Sequence, residues 1–100
     1  MKLGRPNIYS KSVLLDHALT LSIEHGYSKV TRHMIAERAG CSPALIPQLF
    51  GTMPQLRRAI MSAAVARREL RVIAQGLVAG DSKAQRAPAI VQREALEALL

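Results

Sequence analysis

One cysteine, no tryptophan, three aromatic residues and half as many acidic as basic groups set limits on this 100-residue chain. The lone Cys41 excludes an internal disulfide and fits a reducing cytoplasm. Of the 49% apolar residues much is alanine and leucine, and the aromatics are only Tyr9, Tyr27 and Phe50. Few residues of the kind that strands favour remain, so an all-α fold is expected. No apolar run approaches the roughly 20 residues of a membrane span. The opening MKLGRPNIYSKS lacks the apolar core of a signal peptide, so a cytoplasmic protein without membrane attachment is expected. Material for catalysis is also missing. His17, His25 and His33 have no paired ligand spacing, the carboxylates are scattered, and no glycine loop is built to cradle phosphate. No enzyme activity, metal or cofactor is expected.

What is present is positive charge. Fourteen Lys and Arg against seven Asp and Glu give +7 and a sequence pI near 10.6, which points to a polyanionic partner. The excess is uneven. Residues 1–52 hold six basic and three acidic groups, residues 53–80 five and one, and residues 81–100 three and three. The last stretch is therefore not expected to face the polyanion. A chain of this length makes one domain and hides little apolar surface unless it associates.

The first residues, MKLGRPNIYS, show no helical period and contain Gly4 and Pro6; residues 1–11 read as a flexible basic arm. Apolar residues at helical spacing predict a first helix over 12–25, with Ser10 or Ser12 as cap and Gly26 as stop. Thr31 can cap a second helix, Arg32–Ala39, which ends at Gly40. Ser42 can cap a short third helix that begins at Pro43. Thr52 and Gln55 have the spacing of a capping box, which opens a long fourth helix over 53–74 or beyond, weakened at its far end by Gly76 and Gly80. VAGDSKAQRAP reads as a turn with Asp81 or Ser82 as cap, and 89–100 as a last helix. The chain divides into the arm, a reading unit over 12–52 and a helical dimerisation region over 53–100.

The stretch GCSPALIPQLFG, residues 40–51, belongs to a helix-turn-helix pattern. Two helices that cross closely need a small residue at the contact, a turn residue tolerant of positive φ, and aliphatic anchors on the second helix. Ala36, Gly40, and the pair Ile46 and Leu49 meet these needs, with Ile35, Ala39 and Cys41 also apolar. An ordinary helical hairpin fits the same pattern; the surrounding basic charge favours DNA.

From Leu14 to Ile60 the sequence resembles the N-terminal DNA-binding domain of the TetR family of bacterial regulators. The marks are Ala18 and Leu21, Gly26-Tyr27, Val30-Thr31, Ile35-Ala36, Ala39-Gly40, Ser42, Ile46, Phe50 and Leu56. The resemblance implies a three-helix unit whose third helix enters the major groove, a connecting fourth helix, and action as a dimer on double-stranded DNA. Members of that family carry a larger ligand-binding domain, whereas about forty residues follow Ile60 here. No small-molecule effector is therefore expected. Three positions depart from the family pattern: Pro47 stands where an aromatic is common, Leu49 where a histidine is, and Gly51-Thr52-Met53-Pro54 lacks the usual lysine.

Inward packing of Ile46, Leu49 and Phe50 turns Ser42, Pro43, Ala44, Pro47 and Gln48 outward. Gln48 has the side chain for a bidentate contact to adenine, Ser42 is engaged as cap, and Pro43 and Ala44 offer apolar contact to thymine methyls. Pro47 deletes the bond from its own nitrogen to the Pro43 carbonyl, so a short, distorted or partly 3₁₀ helix is expected. Thr31, Arg32 and His33, at the amino end of the second helix, suit a phosphate. Thr31 also serves as a plain cap, and His33 also fits a solvated surface residue. Tyr27 offers its hydroxyl to a phosphate or packs its ring. Gly4-Arg5-Pro6 resembles an AT-hook core, in which Arg5 enters a narrow minor groove, supported by Lys2 and Lys11. Arg57 and Arg58 open the fourth helix and are candidates for phosphate. Arg67, Arg68 and Arg71 read as a solvated or dimer-rim face.

Apolar stripes on the fourth helix (Ile60, Ala63, Ala64, Leu70, Ile73, Leu77) and on the last (Ile90, Val91, Leu96, Leu99, Leu100) predict a four-helix homodimer interface; the alternative is a last helix folded back on its own subunit. The expected function is that of an effector-independent repressor, bacterial or carried by a phage or plasmid, binding an inverted repeat in the nucleoid. An architectural or replication and partition protein, reading mainly backbone and shape, is the alternative. A third class is an interaction protein whose basic fourth helix binds an acidic partner or a membrane.

Overall fold

In the computed structural model, which describes residues 9–100, the first helix, α1 (Lys11–His25), begins where the Ser10 hydroxyl accepts the Val13 amide at 3.2 Å. Gly26 stops it. A 3₁₀ turn, Tyr27–Lys29, then leads through the buried Val30 to Thr31, whose hydroxyl accepts the Met34 amide at 3.2 Å and caps α2 (Arg32–Ala39). Both caps satisfy donors that a helix start leaves over.

Gly40 has φ 78° and ψ 32°, the left-handed conformation that a side chain disfavours, and the amides of Gly40 and Cys41 both close onto the Ala36 carbonyl at 2.8 and 3.0 Å. The turn delivers α3 (Leu45–Phe50), two residues later than expected. Before it, Leu45 N–H donates to the Ser42 carbonyl at 3.0 Å and Ile46 N–H to the Pro43 carbonyl at 3.2 Å, a 3₁₀ pattern. Pro47 is the reason. Without an N–H it cannot reach back four residues, but in the first turn of a helix that starts at Leu45 its missing donor is one that would go unpaired anyway.

Thr52 and Gln55 form the reciprocal capping box, at 3.3 Å for Gln55 N–H to the Thr52 hydroxyl and 2.8 Å for the return bond, and open α4 (Met53–Ala66). Here the structure departs from the single long helix. Glu69 N–H donates to the Ala64 carbonyl at 2.8 Å and Arg68 N–H to that of Val65 at 3.2 Å, with Arg68 at φ 52°. This is a helix-ending Schellman arrangement with arginine at the position that glycine usually fills. Arg67 pairs with Asp16 on α1, and Arg68 pairs with Glu94. Both arginines are nevertheless exposed, in line with the solvated face expected, and Arg71, also exposed, lies 4.0 Å from Glu69.

After the break come α5 (Leu70–Ala79), α6 (Ser82–Gln85), which Asp81 caps through the amides of Lys83 and Ala84, and α7 (Ala89–Glu97). α4 packs on α1, α3, α5 and α6, and α5 carries α7. Gly76 sits buried in α5 where a Cβ would come within 2.9 Å of the Ala84 Cβ and 2.5 Å of the Met61 terminal methyl, so its role is close packing of three helices rather than weakening.

One core runs through the described residues, from Leu14, Ile35 and Ile46 to Ile60, Met61 and Ile73, all fully buried. The expected dimer stripe on the fourth helix is thus largely interior to the chain. Ile60, Ala64 and Ile73 are inaccessible, Ala63 nearly so, and Leu70 and Leu77 half-buried. The last helix folds back through Val91 and Ala95, leaving Ile90, Leu96, Leu99 and Leu100 outside. No helix among the described residues is long and apolar enough to cross a membrane.

Candidate nucleic-acid interface

Two helices joined by the five residues 40–44 present their outer faces side by side because the inner faces are committed to packing. On α2 the inner residues are Ile35 and Ala36, both buried; on α3 they are Ile46 and Phe50, with Leu49 half-buried. Ala36 is only 1% exposed, as a crossing point demands. What remains outward on the turn and α3 is Ser42, Pro43, Ala44 and Gln48, all exposed, and Pro47, half-buried. Ser42 does not cap a helix that begins at Pro43. Its hydroxyl accepts the Ala44 amide at 3.3 Å, inside the turn. Gln48 is then the outward residue on α3 with a long hydrogen-bonding side chain.

At the start of α2, Thr31, Arg32 and His33 are exposed together. The Thr31 hydroxyl and carbonyl serve Met34 and Ile35, at 3.2 Å each, while the amides of Arg32 and His33 face the helix end, where the dipole favours an anion. Lys29, exposed on the 3₁₀ turn two residues earlier, joins this group and was missed in the sequence. Its only sequence signal is a basic residue just ahead of a capped helix that starts Arg-His.

Tyr27 takes the packing alternative. It is 8% exposed, its amide donates to Gln75 Oε1 at 2.8 Å, and its hydroxyl donates to Asp81 Oδ2 at 3.4 Å. Burial, and then the Asp81 carboxylate, raise its pKa above the usual tyrosine value, against a smaller opposite pull from the Arg57 guanidinium. A hydroxyl so engaged is turned away from phosphate, and Tyr27 leaves the candidate set. Arg57 and Arg58 also part company. Arg58 is exposed, whereas Arg57 is half-buried beside Tyr27 with its Nε buried and without a hydrogen-bond partner.

Arg5 lies outside the described residues, as does Lys2. The point where the arm joins is defined, however: Tyr9 donates its hydroxyl to the Gly40 carbonyl at 3.0 Å, which places the end of the arm against the turn between α2 and α3. Lys11 is exposed at the first position of α1.

The model of the family described as bacterial regulatory proteins, tetR family, matches residues 14–60. This segment is a TetR-family N-terminal helix-turn-helix domain. The match begins at Leu14 on α1 and ends at Ile60 within α4, so it covers the three-helix unit and the first turns of the connecting helix. No curated protein and no solved structure matches the chain. Within the match, packing leaves the outer face of α3 and the amino end of α2 outward. The matched segment, 47 of the 100 residues, is thereby of a type found in DNA-binding regulators. From residue 61 onward, α5, α6 and α7 lie outside the match.

Proposed function

We propose that the protein is a sequence-specific transcriptional repressor that binds an inverted repeat in double-stranded DNA as a homodimer, without a small-molecule effector and without catalysis. The observation that carries the reading is the α2–turn–α3 unit, with left-handed Gly40, interior Ala36 and Ile46, and Gln48 outward, inside the TetR-type match. Readers of this kind pair across a two-fold axis because one short helix spans too few base pairs. The exposed edge of α7 (Ile90, Leu96) with the two leucines that follow the helix (Leu99, Leu100) is the surface we assign to that pairing. Contacts to phosphate come from Lys29, Thr31, Arg32, His33 and Arg58, apolar contact from Pro43, Ala44 and the exposed edge of Pro47, and minor-groove contact from Arg5 on the arm.

Effector independence is supported by the kind of cleft present. The groove of about 300 Å³ between α4 and α6, floored by Val65, Ala66 and Ala87, and that of about 560 Å³ along α7 both open to the surface. A ligand pocket normally encloses most of its ligand. The cytoplasm, in a bacterium or with a phage or plasmid, is the setting that fits a repressor.

Selection of bound duplexes from a random pool at physiological salt tests the reading; recovery of a palindromic motif is expected. The scarcity of donors on α3 favours a second reading, an architectural or replication and partition protein that relies on backbone and shape, and enrichment of A·T content without a motif would select it. Failure to recover any duplex would refute both and leave binding of an acidic partner by α4.

A further inference from the structure

The helix-turn-helix unit is held in place by a residue that no family match covers. Gln75, on α5, extends its amide into the connection between α1 and α2. Its Oε1 accepts the Tyr27 amide at 2.8 Å and its Nε2 donates to the Ser22 carbonyl at 3.0 Å. The Ser22 carbonyl also accepts the Gly26 amide at 2.8 Å, so one side chain closes on both limbs of the bend. A second tie runs parallel to it, from the Tyr27 hydroxyl to Asp81, and Asp81 is itself fixed as the cap of α6.

The ties bear on the reading surface through chain length. Tyr27 starts the 3₁₀ turn that carries Lys29, and Val30, inaccessible to solvent, leaves no slack before Thr31 caps α2. A shift of Tyr27 therefore moves Lys29, Thr31 and the free amides of Arg32 and His33 together. Asparagine and glutamine side chains that serve a backbone donor and a backbone acceptor at once fix a bend as a ladder bond would.

We infer that Gln75 is a positioning residue for DNA binding: from outside the helix-turn-helix segment it sets where the amino end of α2 meets the phosphate backbone. The C-terminal half then completes the reading surface in addition to any part in pairing. This inference rests on the DNA-binding reading above.

The experiment titrates the full chain and its variants Gln75→Leu and Gln75→Glu with a mixed-sequence duplex over a range of salt, well below each unfolding midpoint. Each phosphate contact adds about one unit to the slope of log K against log salt. For Gln75→Leu the expected result is affinity about tenfold lower, equivalent to about 1.4 kcal/mol, with a slope shallower by about one. Gln75→Glu retains the acceptor for the Tyr27 amide but sets a carboxylate oxygen against the Ser22 carbonyl, so its affinity is expected to be no higher than that of the leucine variant; it also carries the slope comparison if the leucine variant does not fold. A merely structural role lowers the unfolding midpoint and leaves the slope of the folded protein unchanged, and that result overturns the inference while DNA binding stands. Absence of duplex binding by the unaltered chain overturns both.

Discussion

Arg68, in left-handed conformation at the end of α4, pairs with Glu94 on α7 across the break that turns α5 against α4. The contact spans 26 positions and ties the last helix to the point where the chain reverses. Both side chains are partly exposed, so the ion pair itself contributes little, while the backbone conformation costs an L-residue about 1 kcal/mol. Arg68→Gly and Arg68→Ala both delete the pair, but only glycine relieves the backbone. Arg68→Gly is expected to be about 1 kcal/mol more stable than Arg68→Ala by urea unfolding. Equal midpoints would mean that the break is not set by Arg68.

Tyr27 supplies a pH signature. Its folded-state pKa is raised, by burial first and Asp81 second, above the value of about 10 that an unfolded tyrosine shows. A raised pKa means that the native state holds the proton more tightly. The contribution is complete below the unfolded pKa and disappears as pH rises through the folded one. Tyr27→Phe is expected to cost at most about 1 kcal/mol at neutral pH, for a long hydrogen bond lost, and to abolish the extra loss above pH 10. The two proteins differ at this one residue, so the difference between their unfolding curves isolates Tyr27. Parallel curves would count against the buried tyrosine–aspartate contact.

Pro47 determines where α3 begins. Pro47→Ala restores an N–H that can reach the Pro43 carbonyl, and α3 is expected to extend back to Pro43 with Ser42 as its cap. The new amide at residue 47 should then exchange more slowly than an unprotected amide, and far-UV helicity should rise. A fast-exchanging amide at that position would show that the turn, not the proline, limits the helix.

Gln48 is the α3 residue to which direct base readout is assigned in the proposed complex. Gln48→Ala on a selected duplex is expected to lose about 1–3 kcal/mol of discrimination at one adenine, while affinity for mixed-sequence DNA is unchanged. Competition binding with single-base variants of the site measures this. Loss at every sequence alike would assign Gln48 to the backbone.

The outer edge of α7 can be altered without touching its inner side. Ile90 is 62% and Leu96 47% exposed, whereas Val91 and Ala95 face α5. The double variant Ile90→Lys, Leu96→Lys is expected to be monomeric by light scattering, with its helix content retained and its preference for paired half-sites gone. A dimer that survives the double substitution would place the pairing surface elsewhere.

Much of the fold was legible because much of it is signalled locally. Ser10, Thr31, Gly40 and the Thr52–Gln55 pair act within four residues, and each does in the structure what its type and spacing suggest. The break at 67–69 has no such mark. Neither glycine nor proline stands there, and the apolar period from Ile60 to Ile73 continues through it. It rests on a left-handed arginine that no local signal announces, and the partners of Arg67 and Arg68, Asp16 and Glu94, stand 51 and 26 positions away, beyond any window of sequence. The candidate site divides along the same line. Gln48 and the Thr31–His33 group follow from helical faces, but the inward turn of Tyr27 required Gln75 and Asp81, 48 and 54 positions away.

The Tyr9 hydroxyl on the Gly40 carbonyl gives the arm a tether of known origin. Three residues lie between Arg5 and Tyr9, so the four Cα-to-Cα steps reach at most roughly 14 Å. For the minor-groove contact proposed for the arm, this anchor makes binding an intramolecular step after the proposed docking of α3, at an effective concentration on the order of millimolar. Shortening the distance between anchor and arginine narrows the search, and lengthening it dilutes the arm.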